Sequence, residues 1–340
     1  MRTRSLILWI AFGLVAVLLL AASWIKLPYY AEGPGPAREV VPLISVTGRA
    51  TYDAGHLVMT TVSERQLTGI LALFAWIDPD QRVVGRDVLY PDGQTVAQEE
   101  QRSLSQMDTS KLAATSVVLE GLTDYDARAG YPGAQGDGVL IETVFSDCPA
   151  EGELFAGDLV DAINDTPTPD VAAASDAIAA VAPGDPLTFH VSAGGEEHDV
   201  TVTRGECLGV VDPVVGITMI NDFLFDVQIS SGEVGGPSAG LMFGLGLYDL
   251  LTPGDLTDER LVAGTGTMDL EGAVGPIGGI GDKIVAARRA GAELFLVPRD
   301  NLAEARAADA GDMELIPVGS FSEALGALGD EFPEDASAAA

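Results

Sequence analysis

The sequence predicts an α+β chain: a single apolar N-terminal helix, then a body of strands and helices in which one β-rich stretch stands apart in texture. Three observations predict it. Ser5 to Ile25 is an uncharged run of 21 residues. Alternating, β-branched stretches such as Val40–Thr47 and His56–Ser63 read as strands turning near Asp53-Ala54-Gly55, while Gln98–Leu122 and Leu241–Leu251 carry helical spacing or a continuous apolar run. Between Gly136 and Thr203 the texture changes to short strands around one short helix.

As a helix, the Ser5–Ile25 run would measure about 30 Å, one bilayer core, and reads as a transmembrane segment. Arg2 and Arg4 precede it, and Lys26, Tyr29 and Tyr30 follow, an arrangement that favours a cytoplasmic N-terminus with everything after Lys26 outside. The rival is a cleaved signal peptide, for which Ala21, Ala22 and Ser23 are suitably small; the run exceeds the usual apolar region of such peptides, which favours retention. Either reading exports the chain. Ala31–Arg38 (AEGPGPAR) reads as a Pro/Gly linker leaving the membrane.

Composition narrows the chemistry. With 18 Lys plus Arg against 51 Asp plus Glu the net charge is −33, which excludes a protein built to coat nucleic acid. Apolar residues make up 47% of the chain, so disorder throughout is excluded too. Bases are scarce: the lysines are Lys26, Lys111 and Lys283, and the histidines His56, His190 and His198. Lys111 sits in the Gln98–Leu122 helix with no motif around it and reads as a solvated side chain. Cys148 and Cys207 suit one disulfide in an oxidising compartment, or two buried thiols. No Cys/His cluster has metal-ligand spacing, and neither a metal nor a cofactor is implied.

In the changed segment, a strand (Val139–Val144) leads to S-x-x-P-A-x-x-G and then G-D-x-V-x-x-I-N (Gly157–Asn164). A helix near Val171–Val181 and strands at Leu187–Ser192 and His198–Thr203 follow. This order resembles a bacterial PDZ domain. The resemblance implies a peptide adding as a strand beside Gly138, Val139, Leu140 and Ile141, its carboxylate held by the glycine-rich turn near Gly133–Gly138.

The chemistry concentrates later. Gly232–Gly240 reads G-E-V-G-G-P-S-A-G before the apolar Leu241–Leu251 helix, with Pro237 in the first turn and Ser238 at the helix N-terminus. Unpaired N–H groups there stabilise an oxyanion, which suits an acyl-transfer nucleophile. Gly236–Gly240 also fits the G-x-S-x-G elbow of α/β-hydrolases, but that fold needs a histidine after the serine and none follows His198. The remaining base is Lys283, in the first turn of a helix that follows V-G-P-I-G-G and ends at Gly291. Dipole and desolvation both disfavour its ammonium there.

G-P-S-A-G, Thr265-Gly266, V-G-P-I-G-G-x-x-x-K and F-L-V-P-R-D-N (Phe295–Asn301) together resemble the proteolytic domain of Lon-type Ser-Lys peptidases. Gly55–Thr61 is similar to an early strand of that domain, Met107–Leu122 to its first helix, and Phe225–Ile229 to the strand before the nucleophile. The resemblance implies a Lon-like fold with an inserted PDZ domain, as in membrane-anchored, extracytoplasmic bacterial proteases. The expected divisions are 1–26 cytoplasmic tip and anchor, 27–37 linker, 38–125 first proteolytic part, 126–206 PDZ domain, 207–327 second proteolytic part and 328–340 acidic disordered tail. By resemblance Ser238 is the nucleophile, Lys283 the general base and Thr265 the residue orienting the lysine. Backbone N–H groups around Gly236, Pro237 and Ser238 form the oxyanion hole.

No G-x-x-x-x-G-K-[ST] occurs, so ATP-driven unfolding is not expected. The expectation is an exported, ATP-independent serine endopeptidase acting on extended peptides or exported proteins, held at the membrane by its N-terminal helix. The family's hexameric rings suggest a homo-oligomer. The alternative is a catalytically silent cell-surface scaffold that binds peptides through its PDZ domain.

Overall fold

The computed structural model describes residues 22–90, 96–128, 138–193, 196–207, 214–222, 226–232 and 234–330, together with Trp9, Gly13 and Leu20. A long antiparallel ribbon organises the N-terminal block: β1 (Lys26–Glu39) pairs with β3 (His56–Thr68), from Glu39↔Val58 at one end to Lys26↔Thr68 at the other. Between them runs the short β2 (Ile44–Thr47). After the ribbon come α1 (Gly69–Ile77), β4 (Arg82–Gly85), the one-turn α2 (Arg86–Leu89) and the long α3 (Val96–Arg128).

Two expectations fail here. The segment 27–37 is not a linker but the middle of β1. The prolines are accommodated by a register shift between Pro34 and Ala37, on a stretch where β4, which pairs only with Tyr29–Glu32, leaves β1 an open edge. Gly35 lets the backbones approach, since a Cβ there would stand 2.3 Å from Thr61 Oγ1. The single transmembrane helix over Ser5–Ile25 is likewise not supported. Among the described residues no helix is long and apolar enough to cross a membrane; the continuous described helical stretch in that run is Ala22–Trp24, and the chain is a strand from Lys26.

The inserted module is built from β5 (Val139–Val144), β6 (Leu159–Ile163), β7 (Thr166–Pro167), α4 (Val171–Ala179), β8 (Pro186–Ala193), β9 (Glu196–Thr203) and β10 (Ile217–Asn221). Asp170 caps α4, its carboxylate accepting the Ala173 N–H. The strand order is β10-β5-β6-β8-β9, with a core of its own around Ile141, Leu154, Phe189 and Val202. The sheet thus includes a strand lying beyond residue 206. Cys148 and Cys207 are joined in a disulfide that fastens the turn after β5 to the chain leaving β9.

The C-terminal block contributes β11 (Asp226–Ile229), α5 (Gly240–Leu251), β12 (Leu261–Gly264), β13 (Thr267–Met268), β14 (Val274–Gly275), α6 (Ile280–Ala290), β15 (Leu294–Pro298), α7 (Leu302–Ala305), β16 (Glu314–Val318) and α8 (Phe321–Leu328). β12 joins β3 in parallel, and the main sheet reads β16-β15-β12-β3-β1-β4. Alternation sends Leu57, Met59, Val262 and Leu296 to one face, under α3, α5 and α8; Val58, Ala263, Phe295 and Val297 face α6 on the other. The site described below lies at the C-terminal end of β12, beside the middle of β3, between these two helical layers.

Opening the Cys148–Cys207 bridge, by reductant or by C148S/C207S, should lower the module's stability by about 4 kcal/mol, from the 59-residue loop it closes. Denaturation curves with and without reductant read this; superimposable curves would show that the bridge contributes nothing.

Candidate active site

Ser238 stands in the turn Gly236–Ala239, two residues ahead of α5, so Pro237 precedes the helix rather than opening its first turn. Gly236 adopts φ +85°, a left-handed conformation that a side chain would strain. The turn is clamped from α3: the Gly236 N–H donates to the Ser103 carbonyl at 2.8 Å, and Ser110 Oγ donates to the Pro237 carbonyl at 2.9 Å. A second clamp comes from the two residues that follow β12. The Ser238 carbonyl accepts the Gly266 N–H at 2.9 Å and Thr265 Oγ1 at 2.8 Å.

Lys283 comes from the first turn of α6. Gly279, the N-cap, has φ +68°, and a Cβ on it would lie 2.7 Å from Val62 Cγ2, so a bare backbone is needed where helix meets ribbon. Asn301 fixes the approach by trading two hydrogen bonds with Ile277, accepting its N–H at 2.8 Å and donating to its carbonyl at 3.0 Å. The Lys283 amine reaches Ser238 Oγ at 2.7 Å and Thr265 Oγ1 at 3.1 Å while the residue stays only 4% exposed. Burial pulls its pKa from 10.5 down to about 8. The adjacent Asp282 is turned outward onto Arg82 at 2.9 Å, which keeps its charge occupied away from the amine.

Thr265 thus holds two groups at once, accepting from the lysine and donating to the serine's own carbonyl. The oxyanion donors differ from expectation. The Gly236 N–H is spent on Ser103 and Pro237 has none, so the N–H groups without a hydrogen bond among the described residues at this turn belong to Ser238 and Ala239. The arrangement is competent for acyl transfer: a nucleophile, a base whose neutral form desolvation brings within reach near pH 8, and backbone donors. Ser110 and Ser103 escaped the sequence reading. The available signal was a serine on a buried stripe, since Ser110 follows Met107 by three and precedes Ala114 by four. Lys111 is held by Asp108 at 2.9 Å on the same helix. His56 starts β3, and His190 and His198 lie on β8 and β9, with His190 bonded to Asp199.

The peptide-binding placement beside Val139, Leu140 and Ile141 is corrected. Both edges of that stretch are taken, by β10 (Asn221, Ile220 and Met219) on one side and by Val160, Leu159 and the Asp158 carbonyl on the other, and Gly138 accepts the Asp222 N–H. The rest of the glycine-rich turn, residues 133–137, lies outside the described residues. Among the described residues the edges of this sheet are β9 and β10, and β10 is the one beside α4. Beside it α4 and β10 enclose a groove of about 520 Å³, lined by Ser175, Ile178, Val215, Ile217 and Met219, with the Cys148–Cys207 disulfide at its end. Gly216 packs directly on Cys148, where a Cβ would be 2.2 Å away.

A buried lysine on a serine hydroxyl, with no histidine at the site, is the geometry a Ser-Lys hydrolase needs. Residues 220–328 match the Lon protease (S16) C-terminal proteolytic domain, the domain of a serine endopeptidase. Lon protease 1 of Herpetosiphon aurantiacus is 46% identical over 120 residues, 35% of this chain and 13% of the relative. The Lon protease of Campylobacter jejuni is 32% identical over 120 residues, 34% of this chain and 15% of that protein. The chain therefore spans about an eighth to a seventh of the length of these curated relatives. The crystal structure of the PDZ domain of an SdrC-like protein from Listeria monocytogenes is similar over 24% of this chain and 87% of that one, at 26% identity and a TM-score of 0.23.

Activity should follow the neutral amine. With a pKa of about 8, kcat/KM should climb roughly tenfold per pH unit below that value and level above it. A flat profile across this range would remove Lys283 as the base. By linkage, a lysine whose folded pKa lies below its unfolded value costs stability while protonated, so stability should rise between about pH 8 and about pH 10.4. Ser110→Ala, which frees the Pro237 carbonyl, should lower kcat about tenfold with KM little changed. An unchanged kcat would show that the clamp does not position the nucleophile.

Proposed function

We propose that this chain is an exported endopeptidase in which Lys283 takes the Ser238 proton and Ser238 attacks a scissile carbonyl. The observation that carries the reading is the 2.7 Å contact between a buried amine of depressed pKa and the serine hydroxyl. The tetrahedral oxyanion is received by the Ser238 and Ala239 N–H groups. The lysine ammonium then returns its proton to the leaving amine, and a water, deprotonated by the regenerated amine, hydrolyses the acyl-enzyme. Hydrolysis in this proposal needs no nucleotide, in keeping with a sequence that lacks a phosphate-binding loop, and suits substrates already extended. Export is supported by the Cys148–Cys207 disulfide, a bond that persists in oxidising compartments.

In the same proposal the inserted module is PDZ-like and selects substrate. An extended peptide adds to the free edge of β10 and places side chains in the apolar groove against α4. What supports this is the open edge and the groove beside it, together with the order of motifs in the sequence.

The test uses the full chain with an unstructured polypeptide substrate and no ATP. Cleavage and labelling by a serine-reactive fluorophosphonate should both be lost in Ser238→Ala, and fall at least about a thousandfold in Lys283→Met. Retained cleavage in Ser238→Ala would overturn the mechanism. A wild-type chain that binds peptides but neither cleaves nor labels would establish the silent scaffold instead.

A further inference from the structure

Five of the most exposed large apolar side chains of the N-terminal block, Trp24, Ile25, Phe74, Trp76 and Ile77, are gathered at one place. α1 reads G-I-L-A-L-F-A-W-I, apolar throughout, yet only Ala75 is fully buried, in a small cluster with Ala31 and Leu67. Leu73, Phe74, Trp76 and Ile77 are 55%, 65%, 82% and 68% exposed. An all-apolar helix belongs in a core or in lipid, and here protein covers one side of it. Trp24 and Ile25 extend the patch: Lys26 pairs with Thr68, the residue before α1, and Ala22 lies 3.2 Å from where a Gly69 Cβ would be. The uncharged run of the sequence ends at Ile25, inside this patch. All of it sits at the end of the β1–β3 ribbon away from His56.

Charge separates along the same axis. Residues 1–90 hold eight Lys and Arg against seven Asp and Glu, whereas residues 91–340 hold ten against 44. Residues 1–90 therefore carry +1 and the body beyond residue 90 carries −34. Lys26, Arg65 and Arg86 are exposed in the N-terminal block, and two of its acidic groups are paired, Glu32 with Arg82 and Asp80 with Arg289. All three tryptophans of the chain, Trp9, Trp24 and Trp76, precede residue 90 and are exposed.

We propose that this tip is a lipid-docking surface: α1 with Trp24 and Ile25 lies in the headgroup and acyl boundary of an anionic bilayer without crossing it. Nine helical residues, about 14 Å, are too short to cross. Aromatic side chains with cations nearby suit an interface, and the acidic body is repelled from the same anionic surface, which orients the molecule.

The full chain carrying W9F/W24F has Trp76 as its single fluorophore. On mixed phosphatidylglycerol and phosphatidylcholine vesicles, Trp76 emission should shift to the blue and be quenched by lipid brominated along the acyl chain. Phe74→Asp with Ile77→Asp, checked for intact folding by circular dichroism, should lower that quenched population about tenfold. Three results would overturn the proposal. The first is Trp76 unquenched by brominated lipid even though the chain floats with vesicles. The second is Trp76 already shielded from acrylamide in dilute, vesicle-free solution, which would mean that residues 5–21 cover the patch. The third is shielding that grows with protein concentration, which would assign the surface to a second copy.

Discussion

The desolvation of one amine is the constraint on which the catalytic half of this molecule rests. A hydrated lysine is an ammonium at neutral pH and cannot take a proton from serine. Only removal from water brings Lys283 to about 8, and nearly every feature near it serves that removal. α6 lies flat on the β3, β12 and β15 face, Gly279 lets its first turn meet Val62, and Asn301 ties down the preceding loop. A buried amine also has to be given partners, and Ser238 Oγ and Thr265 Oγ1 supply them. The same two contacts that satisfy the burial therefore compose the reactive pair.

Local motifs lead to Ser238, Lys283 and Thr265 without a structure, because glycine and proline requirements at helix entrances are written in short stretches of sequence. What escapes is set by pairing over long separations. Ala31–Arg38 has the composition of a linker and becomes a strand because β3 lies beside it, with Gly35 allowing the approach and a bulge absorbing the prolines. Val139–Ile141 reads as an open edge in the sequence; β10, some eighty residues later, covers it. The oxyanion donors shift by a residue or two for a comparable reason, since the Ser103 carbonyl that takes up the Gly236 N–H arrives from a helix more than a hundred residues earlier. Ser110 carries no motif at all; its part is defined only by the turn it touches.

The inserted module depends on its own covalent device. β10 returns to the sheet after the chain has left β9, and the disulfide ties Cys207, on that return path, to Cys148 beneath Gly216. The groove between α4 and β10 is thus lined in part by a bond that oxidising conditions favour. Its shape is coupled to the compartment in which the protein folds.

The β1–β3 ribbon has a mechanical meaning beyond its place in the sheet. Gly279, at the head of the lysine's helix, meets Val62, and Thr68 at the apolar tip lies six residue steps further along β3. At the rise of an antiparallel strand this is a stiff spacer of about 20 Å. Whatever the tip rests on, the reactive serine is held at a fixed stand-off from it. Under the proposed function the ribbon would act as a ruler, admitting to the site those chain segments that can extend that far and excluding residues closer in.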